Sequence, residues 1–249
     1  MPSTLTPIRY PGGKTKIYPH VKKLMEKNGL LGGTYCEPFA GGAGLAIKLL
    51  LNNDVNEIVI NDLDPAIYAM WYNILFRTDS LCHFIQTVEL TISEWDRQKE
   101  IYLNPENHDI EALGNAALFL NRTNVSGVIT GGVIGGRKQE GNYKMDARFN
   151  RETLVKKIKA IAKRRNQIEL HNMDAIEFIK EMLPSLEKKS LVNFDPPYVK
   201  KVGTYIRTHT PKMTTASLEI ISLYTKGFGL LRMIFVIWFL AYIAVIERK

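Results

Sequence analysis

The feature that most constrains this chain is an eight-residue segment, Glu37-Pro38-Phe39-Ala40-Gly41-Gly42-Ala43-Gly44. It stands between a short β-prone run at residues 34–36 and an apolar helical stretch at 45–51. A second β-prone run follows at 57–60. Strand, glycine turn, helix, strand is the order of a parallel βαβ unit. Parallel strands need crossover helices, so the chain belongs to the α/β class. Glycines in such a turn let backbone approach a nucleotide-like ligand, because no Cβ intrudes. Alone, the turn is equally compatible with a purely structural role.

The remaining organisation follows the same reading. A loop at residues 10–15 leads into an amphipathic helix at 16–28. Residues 76–158 change character, with helices expected at 80–102 and 110–120 and a glycine-rich stretch at 126–141. That shift marks an inserted subdomain between two parts of the core, 1–75 and 159–201. Alternation returns with a basic helix at 151–165, a strand at 168–171, a helix at 175–183 and an apolar strand at 191–194. The tail, 202–249, breaks the pattern: residues 233–246 are apolar or aromatic without exception. That run of 14 is short of the roughly 20 residues a membrane span wants.

Composition matters mainly for what it excludes. Hydrophobic residues at 45% and charged residues at 23% exclude collagen-like, disordered and disulfide-scaffold chains. The net charge is +8, but the tail carries half of it, so residues 1–201 stand at +4. That is weak evidence for a polyanionic partner. Two cysteines, Cys36 and Cys82, cannot build a disulfide framework or a four-cysteine zinc site, and read as free thiols of a reducing cytoplasm. The histidines lack metal-ligand spacing, so no metal is expected. The first nine residues lack the apolar core of a signal peptide.

Two acids carry the chemistry. Asp62 ends the second strand, 18 residues after Gly44, where a carboxylate can accept from both hydroxyls of a ribose. Its bland alternative is a helix N-cap ahead of Pro65. The sharper signal is Asn193-Phe194-Asp195-Pro196-Pro197-Tyr198. An apolar strand delivers an acid at its carboxyl end, where open α/β sheets bind ligands. Two prolines then remove amide donors and fix φ, leaving carbonyls as acceptors beside the Tyr198 ring. Acceptors plus a stacking ring suit a planar base with an exocyclic amine.

In this order the motifs resemble the DNA adenine methyltransferase family, the Dam-like class. The resemblance runs from about Pro7 to Lys201. It rests on Arg9-Tyr10-Pro11-Gly12-Gly13-Lys14, the glycine turn, Asn61-Asp62, Leu120-Asn121-Arg122, Arg148-Phe149-Asn150, Asn172-Met173-Asp174-Ala175 and Asp195-Pro196-Pro197-Tyr198. It implies a Rossmann-like sheet, S-adenosylmethionine as methyl donor, and the insert as a mainly helical target-recognition subdomain. Tyr10, Lys14, Phe39, Gly41, Gly44, Asp62, Asp174 and Asp195 would hold the donor. Asp195 and the Pro196 carbonyl would accept from the target amine, with Pro197 stiffening the loop and Tyr198 stacked on a base flipped out of duplex DNA. Asn121, Arg122, Asn124, Arg137 and Lys138 would supply donors to base edges and phosphates. Asn121 serves equally well as a turn cap. The basic run Lys156, Lys157, Lys159, Lys163, Arg164, Arg165 reads as a solvated helix face. A cognate restriction endonuclease is the partner such enzymes imply.

The chain departs from the family after Tyr198, where a segment resembling Trp-Ile-Val-Thr-Tyr-Asp is missing. Read one base earlier than the present codons, residues 202–215 can encode Gly-Arg-Asp-Leu-Tyr-Thr-Asn-Ala-Tyr-Thr-Glu-Asp-Asp-His, and 228–234 can encode the missing strand. Two of the aspartates are forced, because Met213 and Met233 have a single codon. Residues 202–249 are therefore expected to be out of frame, which would cost the sheet its later strands; a membrane anchor and a divergent native tail are the alternatives. The rival activities are methylation of another amine (cytosine, RNA or a protein side chain) and a non-catalytic DNA-binding remnant.

Overall fold

The structure is a computed structural model that describes residues 4–10, 14–182, 184–195 and 235–236. Its centre is a parallel sheet in the order β3-β2-β1-β4-β5. The strands are β1 (Thr34–Glu37), β2 (Glu57–Asn61), β3 (Ile168–His171), β4 (Ser190–Val192) and β5 (Phe235–Val236). The order reverses at β1, where β2 pairs on one side and β4 on the other. Such a switch point opens a crevice at the carboxyl ends of the strands. β5 lies in the tail and pairs in parallel with β4, Leu191 opposite Phe235. The rest of 202–249, including most of the apolar run, lies outside the described residues. Among the described residues no helix is long and apolar enough to cross a membrane.

Strand alternation sorts the core into two layers. Tyr35, Ile58 and Ile60 face the larger cluster, with Leu45, Ile47, Trp71 and Phe119. Cys36, Val59 and Val192 face the smaller one, with Phe178, Ile179 and Phe194. Cys36 and Cys82 are free and buried. The helices are α1 (Tyr18–Lys27), α2 (Gly44–Leu51), α3 (Pro65–Phe76), α4 (Thr78–Thr87), α5 (Ile92–Leu103), α6 (Ile110–Thr123), α7 (Arg151–Ala162) and α8 (Ala175–Met182). Caps set several of their starts. Asp64 accepts from the Ala66 N–H with Pro65 in the first turn of α3, Asp109 caps α6 and Asn150 caps α7.

Two expectations are revised. The helix expected at 80–102 is two helices, because Val88 is extended and Thr91 caps a new start by accepting from the Glu94 N–H at 3.2 Å. The segment 76–158 is helical as expected, but it has no core of its own. Leu81, Trp95, Leu113, Phe119 and Leu154 share one continuous cluster with the sheet-facing residues of α2 and α3. The insert is a layer packed on α3 rather than a separate body.

The tightest point of that packing is Gly114 in α6. A Cβ there would lie 2.4 Å from the Ala69 carbonyl oxygen of α3. Helix propensity alone would favour alanine by about 1 kcal/mol. Because the obstacle is backbone, overpacking at about 1–3 kcal/mol should win. Gly114→Ala is expected to lower the urea midpoint, and an unchanged or higher midpoint would show that α3 and α6 separate freely.

Candidate functional site

β1 runs straight into the glycine turn, and the turn is held at both backbone polar groups of one residue. The Gly41 N–H donates to Asp62 Oδ2 at 2.7 Å, and the Gly41 carbonyl accepts from Trp71 Nε1 at 2.9 Å. Gly41 has φ +47°, and Ala43 is also left-handed at φ +41°. A Cβ on Gly41 would meet the Tyr10 ring at 2.7 Å. The position therefore demands glycine for conformation and for the ring that lies on it. Thr6 adds a third tie, its hydroxyl donating to the Gly42 carbonyl at 2.8 Å. Gly44 opens α2 with Thr15 close by.

Asp62 is not the helix cap considered for it; it accepts from two backbone N–H groups. Oδ2 takes Gly41, and Oδ1 accepts from the Asp64 N–H at 3.1 Å. The helix cap itself is Asp64. Each Asp62 oxygen retains lone-pair capacity for a further donor. Burial raises its pKa, opposed by the two backbone N–H bonds. Tyr10 is 52% exposed. Its phenol is held protonated by burial and by the facing carboxylates of Asp62, Asp64 and Asp195.

Across the switch point, Lys14 Nζ pairs with Asp195 Oδ2 at 2.6 Å. The Asn193 N–H donates to the Cys36 carbonyl at 2.8 Å, which extends the β4 backbone alongside β1 toward that acid. Beneath them sits Glu37, 5% exposed. Tyr35 OH donates to Glu37 Oε1 at 2.9 Å. Burial pushes the Glu37 carboxyl up to about 7, against the hydrogen bonds from Tyr35 and Asn193.

Asn61 binds the remaining strand ends together. Its amide donates to the Pro38 and Met173 carbonyls at 3.0 Å each and accepts from the Met173 N–H at 2.9 Å. Asp174 is exposed beside them and caps α8 through the Ile176 N–H at 2.8 Å. Phe39 is half-buried against the smaller core cluster. Tyr10, Lys14, Gly41, Asp62 and Asp195 thus lie together at the carboxyl end of the sheet. Pro196, Pro197 and Tyr198 lie outside the described residues.

The expected DNA contacts divide. Asn121 and Asn124 are buried and spent on the protein itself, which corrects their expected base contacts. Asn121 accepts from the Arg9 N–H at 2.8 Å and donates to the Arg9 and Gly127 carbonyls. Asn124 accepts from Trp95 Nε1 at 2.7 Å and donates to the Val128, Ile129 and Gly131 carbonyls, which closes the loop after α6. Arg122 donates to the Pro7 and Arg148 carbonyls. Arg137 is exposed and forks onto Asp96 at 2.7 and 2.8 Å. Lys138 is exposed beside it. Among the described residues no group of three or more histidine, cysteine or acidic side chains comes together as a metal site.

Sequence reasoning missed Trp71, Asn61 and Thr6 as supports, and Glu37 as a buried acid. Only Asn61 and Glu37 carried a signal, since both belong to motifs already singled out.

A family model described as D12 class N6 adenine-specific DNA methyltransferase matches residues 10–218. The match takes in the glycine turn, Asp62, the insert and Asp195, and continues into the tail. Comparison with curated proteins gives no match.

The Glu37 environment has a measurable consequence. Its carboxyl moves from an ordinary 4.5 to about 7 on folding, so the folded state holds the proton more tightly. Its contribution is most favourable below pH 4.5 and declines as pH rises toward 7, on the order of 3 kcal/mol in total. Glu37→Gln keeps an acceptor for Tyr35 and removes the titration. The unfolding free energy of the wild type minus that of the variant should fall between pH 5 and 7, and a flat difference would remove the buried acid.

Proposed function

Because the chain belongs to the D12 class N6 adenine-specific DNA methyltransferases, we propose that it moves a methyl group from S-adenosylmethionine to the exocyclic amine of an adenine flipped out of duplex DNA. The observation that carries this reading is the Lys14–Asp195 pair beside the glycine turn. It supports the reading because it brings the acid of the Asp-Pro-Pro-Tyr motif next to the N-terminal loop that lies on the glycine turn.

The residues present fit such a donor. Gly41 lets the Tyr10 ring lie directly on the turn, that aromatic residue is exposed, and Asp62 keeps acceptor capacity. Tyr10, Lys14, Phe39, Gly41, Gly44, Asp62 and Asp174 would hold it, with Asp62 on the ribose and Asp174 on the adenine amine. When bound, the donor supplies an electrophilic methyl on a sulfonium. Asp195 and the Pro196 carbonyl orient the target amine so that its lone pair faces that methyl, and Tyr198 stacks on the target ring. The contribution of these groups is positioning and electrostatics, with no covalent intermediate on the protein. Lys14 balances the Asp195 charge until the amine arrives. The flip is required because the amine is otherwise paired. Arg137 and Lys138 remain as exposed candidates for duplex contact, in a restriction–modification setting with a cognate endonuclease.

The tail belongs to the same proposal: residues 202–249 are read out of frame after Lys200-Lys201. The forced aspartates at Met213 and Met233 support it. The experiment is labelled methyl transfer to an adenine-containing duplex, by the 249-residue chain and by a chain with one base restored near codon 201. The restored chain is expected to form N6-methyladenine and the present chain little. Asp195→Ala in the restored chain should abolish transfer while keeping duplex affinity. Robust transfer by the present chain would refute the frame reading, and transfer to cytosine instead would refute the substrate.

A further inference from the structure

Beside the donor crevice four cations converge without a carboxylate among them. Arg9 is fixed through its backbone by Asn121, and its guanidinium donates to the Asn124 carbonyl at 3.0 Å. Arg122 reaches the Pro7 carbonyl at 3.3 Å and the Arg148 carbonyl. Lys157, a half-buried member of the basic run, reaches the Thr6 carbonyl at 3.4 Å. Every partner is a neutral carbonyl, and none of the four takes part in an ion pair among the described residues. Arg122 Nε is buried with no hydrogen-bond partner. Arg77 and Arg137, elsewhere on the surface, do face carboxylates.

Like charges held together in partial burial are costly unless an anion completes them. Burial pushes the Arg122 guanidinium down to about 10, and Arg9 and Arg148 push it the same way. Burial and then Arg122 lower Lys157. We propose that Arg9, Arg122, Arg148 and Lys157 form a seat for one phosphodiester group of the DNA backbone. The proposal rests on duplex DNA being the substrate. Arg148 is exposed and Arg9 half-exposed, so these two reach the phosphate. Arg122 and Lys157 lie deeper, supply field, and tie the segment 6–9 to α6 and α7. Guanidinium forks suit phosphate oxygens. The location is apt because Arg9 immediately precedes Tyr10, whose ring lies on Gly41. A strand anchored there has its neighbouring base at the mouth of the crevice.

A seat for backbone phosphate is blind to sequence and releases counterions. The test is equilibrium binding of the 249-residue chain to two fluorescent duplexes of unrelated sequence over a sodium chloride series. Arg148→Gln should reduce the slope of log affinity against log salt by about one, and weaken both duplexes alike. Arg9→Gln should act in the same direction. Lys163→Gln, an exposed lysine at the end of α7 outside the cluster, removes the same charge and should leave the slope unchanged. Thermal unfolding of each variant confirms that it is folded. A wild-type slope in Arg148→Gln overturns the seat and leaves the cluster a structural tie. Equal losses in Arg148→Gln and Lys163→Gln also overturn it, since net charge then explains everything. Wild-type chain that binds neither duplex overturns the DNA substrate, and the seat with it.

Discussion

Both backbone polar groups of Gly41 are held, and the rest of the site depends on that. Its N–H is fixed by a carboxylate at the end of β2 and its carbonyl by the indole of Trp71 in α3. Trp71 is fully buried, so the shape of the turn is inherited from core packing rather than from the turn's own sequence. Asn61 repeats the device one residue earlier, linking the turn at Pro38 to the loop before α8. Two adjacent side chains at the end of β2 therefore tie the exits of three strands. Residues far apart in sequence meet because parallel strands end at one edge, and these bonds keep that edge from fraying.

The βαβ unit was legible because its signals are local. β-branched runs, a glycine cluster and an apolar helix each follow from residue type, and the Asp62 spacing follows from the lengths of those elements. The break between α4 and α5 was not legible. Residues 80–102 contain neither glycine nor proline, and a threonine cap is a weak mark within a helical pattern. The asparagines failed for a deeper reason. An amide offers the same donors and acceptor to an adenine edge as to a peptide, so Asn121 and Asn124 could be read either way. Burial decides, and burial depends on Trp95, Arg9 and the loop at 127–131, none of which is near in sequence or marked by pattern. Glu37 lay inside a recognised motif, but its pKa is raised by burial, against hydrogen bonds from Tyr35 on its own strand and from Asn193 just beyond β4. That pairing is tertiary information.

Electrostatics divides the site along the N-terminal segment. Tyr10 is pushed up by burial and by three carboxylates, while Arg9, its neighbour, is pushed down by burial and by Arg148. Carboxylates therefore face Tyr10, and a guanidinium faces the residue before it. The proposed sulfonium donor and a polyanionic duplex would require opposite surroundings, and this segment would part the acidic side chains from the basic ones. The segment can serve as a septum because it is held on both sides, by Thr6 and Tyr10 on the glycine turn and by Arg9 on α6. Every contact in that division lies within residues 4–195. An out-of-frame tail would then spare the donor crevice and the basic seat, and its cost would fall on the sheet beyond β4 and on the loop that follows Asp195. A defect of that kind separates binding from transfer, because the residues that gather the two substrates precede the residues that must align them.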